Sequence, residues 1–143
     1  MLARGTDIAT GLSTGSRWVH RMTMSERLTE WMRRYQLAWT TNDPGDIRSL
    51  FTGNARYRTD PFAAPWGGHN EIVAGWIGRS DTADEFTFEW APLVETDELS
   101  IIEGTTDYPA RTITYSNLWV IRWGADDRAD EFTEWWMDQS DPS

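Results

Sequence analysis

The chain has 143 residues, 13 basic against 23 acidic side chains, a formal net charge of −10, no cysteine and ten tryptophans. That length fits one domain, and a field of that sign repels phosphate backbones and anionic headgroups, so nucleic acid and membrane surfaces are poor partners. Without cysteine there are no disulfides, thiol nucleophiles or zinc–thiolate sites.

No apolar run reaches bilayer-spanning length, and residues 1–24 lack the apolar segment of a secretory signal, so a cytoplasmic location is expected. Residues 1–24 carry Gly, Ser, Thr and scattered Arg without periodicity and read as a flexible leader. Ser25 is read as the N-cap of a first helix, on which Leu28, Trp31, Met32, Tyr35, Ala38 and Trp39 form one apolar stripe. Asn42-Asp43-Pro44-Gly45 ends it and opens a short second helix, with Asp43 as cap and Pro44 in its first position. Asn54 to Gly68 then reads as a strand, a turn at Asp60-Pro61, an aromatic loop and the Gly67-Gly68 entry to a third helix carrying Ile72, Val73, Trp76 and Ile77. In that strand Ala55, Tyr57 and Thr59 share one face, and Arg56 and Arg58 the other.

From Glu85 the period becomes two: Phe86, Phe88 and Trp90 alternate with polar residues, and three more strands follow, the longest over Arg111 to Trp123 and the last over Arg128 to Met137. Helix, helix, strand, helix and four strands make an α+β domain over 25–137 with helices on one face of a curved antiparallel sheet. Residues 138–143 read as an acidic tail.

Several short motifs fall in an ordered series: Arg34-Tyr35, Asn42-Asp43, Leu50-Phe51, Asn54-Ala55, Asp60-Pro61-Phe62, Pro65-x-Gly67, Asn117-Leu118-Trp119-Val120 and Glu131-Phe132. On these the chain resembles the nuclear transport factor 2-like superfamily, and within it the bacterial SnoaL-like branch (polyketide cyclase and ketosteroid isomerase-like), from about Leu28 to Trp136. The resemblance implies a cone-shaped fold, a curved sheet wrapped around the long N-terminal helix with an apolar pocket inside. The superfamily includes isomerases, dehydratases, epoxide hydrolases and cyclases as well as binding and purely structural domains, so fold alone leaves activity open.

The resemblance also marks residues. Tyr35 stands where the isomerases carry an oxyanion-binding tyrosine, although a core tyrosine bonded to a backbone carbonyl is the commoner use of such a position. Asp60 resembles their general base, which sits in an Asp-Pro pair ending the first strand. Counted from Ala55 the base falls at Thr59, so Asp60 is one residue late and points outward unless a bulge intervenes. No acid lies near Trp119, where the isomerases place a second oxyanion donor. His69, at the mouth of the third helix, is a further candidate base, or an exposed pre-cap residue. On the longest strand Asn117 is the only strongly polar member of the face formed by Ile113, Tyr115, Trp119, Ile121 and Trp123, and it needs a ligand or a protein partner. Glu89, Glu131 or Glu134 could enter the pocket, although solvation on the strand surface explains all three.

The expected pocket wall is Trp31, Tyr35, Trp39, Tyr57, Thr59, Phe62, Trp76, Tyr115, Asn117 and Trp119. With only His20 and His69 available no metal site is expected, and no glycine-rich phosphate loop or nucleophile elbow calls for a cofactor. The leading expectation is a homodimeric domain that binds a small, mostly apolar molecule. The alternatives are a cofactor-independent isomerase, cyclase or dehydratase using Asp60 or His69 with Tyr35, and an association module without catalysis.

Overall fold

The structure is a computed structural model that describes residues 23–80 and 86–140. Most of the expected leader and the end of the acidic tail lie outside the described residues. Helices α1 (Met24–Thr41), α2 (Pro44–Arg48) and α3 (Gly68–Arg79) accompany strands β1 (Phe51–Arg58), β2 (Trp66–Gly67), β3 (Thr87–Glu95), β4 (Leu99–Tyr108), β5 (Ile113–Trp123) and β6 (Ala129–Asp138). The strands form one curved sheet in the order β2-β1-β6-β5-β4-β3, so the α+β class and the wrapped N-terminal helix are as the sequence implies. Every pairing is antiparallel except β1 with β6, which run parallel in the register Arg56↔Glu131 and Tyr57↔Phe132.

Helix α1 starts earlier than Ser25. Its N-cap is Thr23, whose hydroxyl accepts from the Glu26 N–H while the Glu26 carboxylate accepts from the Thr23 N–H. This reciprocal pair satisfies two donors that Ser25 as cap would leave open. The helix closes at Asn42, which adopts a left-handed φ of 53° and sends its N–H to the Ala38 carbonyl. The Asn42 side chain then accepts from the Trp76 indole at 3.0 Å, tying the end of α1 to α3. Asp43 caps α2 by accepting from the Asp46 N–H, with Pro44 in the first turn.

The core lies between α1 and the facing sheet. Leu28, Trp31, Met32, Tyr35 and Ala38 are buried along the helix, against Phe51, Ala55, Tyr57, Ile102, Trp119, Ile121 and Phe132 from the strands. Trp31 packs edge-on to Phe51 and Trp123 at centroid distances of 6.2 and 5.9 Å, and its indole N–H donates to the Leu50 carbonyl at 2.9 Å.

Strand β1 shifts register between Phe51 and Arg56. Ala55 and Tyr57 are buried, while Arg58 faces outward and pairs with Glu131 across the parallel ladder. Glu131 therefore lies on the face opposite the core. Replacing Trp31 with Ala removes a buried ring and leaves the Leu50 carbonyl unpaired, so a loss of about 3–5 kcal/mol is expected. Urea denaturation measures it, and a loss below about 1 kcal/mol would contradict this account of the core.

Candidate functional site

Between the C-terminal half of α1, α3 and the inner face of the sheet lies a cavity of about 890 Å³ that opens to solvent. That volume falls within the range for drug-sized ligands. Its buried lining includes Tyr35, Tyr57, Trp76, Thr106, Asn117 and Trp119, and its exposed rim includes Arg79, Thr87, Arg111 and Trp136. Aromatic slabs connect the two levels: Trp39 stacks on Phe86 at 4.2 Å, and Trp119 on Phe88 at 4.9 Å. Trp66 lies flat on Tyr57, 4.9 Å away at 17°. Gly75 on α3 permits this, because a Cβ there would stand 2.3 Å from the Trp66 ring.

The Tyr35 and Tyr57 hydroxyls lie 2.8 Å apart, and either can donate to the other. One hydroxyl hydrogen is used in that bond and the other remains available. Burial raises the pKa of both phenols, so both stay protonated at neutral pH.

Glu134 is the acidic side chain of the described lining. It stands opposite Trp119 in the β5–β6 register. Its Oε2 accepts from the Asn117 amide at 3.1 Å and from the Trp119 indole at 3.2 Å. Asn117 is fixed in turn, its carbonyl oxygen accepting from the Thr106 hydroxyl at 2.7 Å. The other carboxyl oxygen, Oε1, has no hydrogen-bond partner among the described residues. Part of the side chain meets the cavity, but protein crowds around the carboxyl, and this desolvation raises its pKa to about 7 against the opposing pull of the two N–H donors and the Arg79 charge. A carboxyl poised there exchanges a proton readily near neutral pH. With Oε2 held as an acceptor of two donors, the proton belongs on Oε1.

The expected residues divide on inspection. Tyr35, Trp39, Tyr57, Thr59, Trp76, Tyr115, Asn117 and Trp119 line the cavity, whereas Trp31 and Phe62 do not. Trp31 is one helical turn from Tyr35 and is enclosed by the core, and Phe62 is 90% exposed on the loop after β1. Asp60 lies outside the lining; its carboxylate accepts from the Phe62 N–H at 3.1 Å and caps the turn. The register shift in β1 comes before Arg56, so it does not bring Asp60 inward, and Thr59 keeps the inward place. His69 also lies outside, its Nε2 2.9 Å from the Phe51 carbonyl, which requires the proton on that nitrogen. Glu134, read from the sequence as a solvated position, has the same parity on β6 as the buried Phe132, and that alternation was the signal for it. Among the described residues no group of three or more His, Asp or Glu is placed to hold a metal ion.

The family model for the SnoaL-like domain matches residues 32–132. The chain belongs to the SnoaL-like family. No curated protein matches its sequence. Solved structures similar to this SnoaL-like chain include a nuclear transport factor 2-like protein of unknown function from Burkholderia xenovorans, 12% identical with a TM-score of 0.65, covering 84% of this chain and 90% of that one. An epoxide hydrolase/cyclase-like enzyme of pyran ring formation in the polyether salinomycin is 16% identical with a TM-score of 0.62, over 80% and 90% of the two chains. A candidate ketosteroid isomerase from Kribbella flavida is 10% identical with a TM-score of 0.61, over 82% and 83%. Identities this low establish the shared SnoaL-like fold and nothing about activity.

Glu134 also gives this SnoaL-like domain a titration signature. It ionises at about 7 in the fold rather than at its ordinary 4.5. Between those values the folded chain holds a proton that the unfolded chain has released. Its contribution to stability is therefore fully present below pH 4.5 and is lost as pH rises through 7, at a rate approaching ~1.4 kcal/mol per pH unit. Glu30, held at about 2 by Arg33 and Arg34, titrates below that window. Glu134→Gln is expected to gain stability over the parent progressively between pH 5 and 7, measured by urea denaturation across that range. Parallel profiles for the two proteins would contradict the assignment.

Proposed function

We propose that this domain binds a flat, mostly apolar molecule bearing a carbonyl and moves a proton next to that carbonyl, with its own side chains as acid and base. The observation that carries this is the half-tethered carboxyl of the cavity-lining Glu134, one oxygen fixed by Asn117 and Trp119 and the other without a hydrogen-bond partner among the described residues. As the carboxylate, Glu134 takes a proton from the carbon beside the carbonyl, and the electron pair moves to the carbonyl oxygen. The spare hydroxyl hydrogen of the Tyr35–Tyr57 pair is available to that oxyanion, which is the kind of preorganised donor that lowers such barriers. The protonated Glu134 then returns its proton to a second carbon, giving an isomer, or to a departing hydroxyl, giving an unsaturated product and water. The epoxide hydrolase/cyclase-like and ketosteroid isomerase descriptions of two similar structures are in keeping with a cavity of this type.

The test is exchange of the acidic C–H of 2-tetralone for deuterium in heavy water, followed by proton NMR. The protein is expected to accelerate exchange, with a rate rising through pH 7 as Glu134 ionises, and Glu134→Gln to slow it by about 100-fold or more. Saturable quenching of tryptophan emission by 2-tetralone without exchange would leave a binding domain. Absence of both would remove the reading.

We also propose that the face of the sheet turned away from α1 pairs with a second copy. Trp135 and Met137, opposite in parity to Phe132 and Glu134, are 49% and 64% exposed there, and Trp135 stands across from Leu118. Trp135→Asp is expected to shift sedimentation from dimer to monomer while leaving ligand quenching unchanged. A monomeric parent protein would rule the pairing out.

A further inference from the structure

Among the described residues, the charges around the cavity run against the trend of the chain. The whole protein carries −10, yet Glu134 is the one acidic side chain in the described lining, and Arg79 and Arg111 both stand at the rim. Arg111 is engaged, its guanidinium 4.2 Å from the centroid of the Tyr108 ring. Arg79 is different. It is the last residue of α3, exposed, and its side chain has no hydrogen bond or ion pair with another described residue. Its charge nevertheless acts inward, favouring the ionised forms of both Tyr57 and Glu134. A basic residue in the last turn of a helix is favoured by the helix dipole, but that preference does not account for a guanidinium lining a cavity.

We propose that the molecule taken up by this cavity carries a carboxylate at one end of its flat body and that Arg79 receives it at the rim. The orientation, carboxylate outward and carbonyl inward, rests on the acid–base reading of Glu134; the preference for an acid does not. A planar guanidinium fork matches a carboxylate through two parallel N–H···O bonds. A phosphate would bring a second negative charge to a rim embedded in an acidic protein. The carboxylate cannot enter first, because it would meet Glu134, and like charges in a desolvated space repel. Between the two ends, the Trp39–Phe86 and Trp119–Phe88 stacks supply the flat apolar passage for the ring system.

The probes are 2-naphthoate and its uncharged isostere 2-naphthamide, titrated at pH 8 against tryptophan emission of the full chain. Naphthoate is expected to bind about tenfold more tightly than naphthamide, the size of one net charged hydrogen bond, and the difference should shrink as salt is raised. Arg79→Gln is expected to abolish the preference, and Arg79→Lys to retain part of it, since the charge stays and the fork is lost. Because the side chain is exposed, Arg79→Gln is expected to unfold cooperatively as the parent does, with a small loss of stability from the missing helix-dipole and Glu134 interactions. Equal binding of the two probes, or a preference that survives Arg79→Gln, overturns the inference while leaving the cavity a ligand site. If neither probe binds, the inference and the ligand-binding reading fall together.

Discussion

Helix α1 carries Leu28, Trp31, Met32, Tyr35 and Ala38 on one stripe, and a flat sheet cannot bury a stripe that wide. Curvature solves this by bringing β1, β6 and β5 to the helix together. The contacts of Tyr35 show the result: its ring lies 4.9 Å from Trp76 on α3, 4.5 Å from Trp119 on β5 and 5.6 Å from Phe132 on β6. Large flat rings at these spacings gain burial and favourable tilted or offset geometry at once. They fill the N-terminal half of the helix completely, where Trp31 and Met32 are buried, and leave the C-terminal half facing open space. Seating the helix thus divides the interior into a solid part and a hollow part.

Polar groups inside the hollow part have had to find each other. The two phenols share one bond and keep one hydroxyl hydrogen spare, and Thr106, Asn117, Trp119 and Glu134 form a chain that ends on a single carboxyl oxygen. Linked hydrogen bonds in low dielectric are stiff, and they hold the Glu134 carboxyl in one pose. The same crowding that fixes the Glu134 carboxyl raises its proton affinity, so positioning and tuning come from one arrangement. Arg79 at the rim moderates the effect without forming a pair.

Much of this was legible in residue order. The period of 3.6 located α1 and its buried stripe, the period of two located β3 to β6, and parity in β1 placed Tyr57 and Thr59 inward and Asp60 outward. What misled was reading a residue by its type or its motif. Asp60 resembled a base because of the Asp-Pro pair, yet a short carboxylate beside a turn caps the nearest backbone N–H. Glu134 looked like a solvated strand residue because glutamate usually is one, although its parity with Phe132 pointed inward. Trp31 shares a stripe with Tyr35, but the stripe does not reveal where along the helix packing gives way to space. That depends on the distance between α3 and the sheet, which no local pattern encodes.

The parallel ladder between β1 and β6 joins residues 51–58 to a strand that begins at Ala129. Until that last strand is made, β1 has only the two-residue β2 as a partner, and β5 has an open edge. On a ribosome, the helices and the β3–β5 meander emerge first, with long-range pairing the slow step. The Glu134 carboxyl rides on β6, as does Phe132, which closes the core beneath Tyr35 and Tyr57. Completion of the sheet and of the cavity wall therefore arrive on the same segment: a nascent chain lacking it has neither a partner for β1 nor the Glu134 side of the hollow.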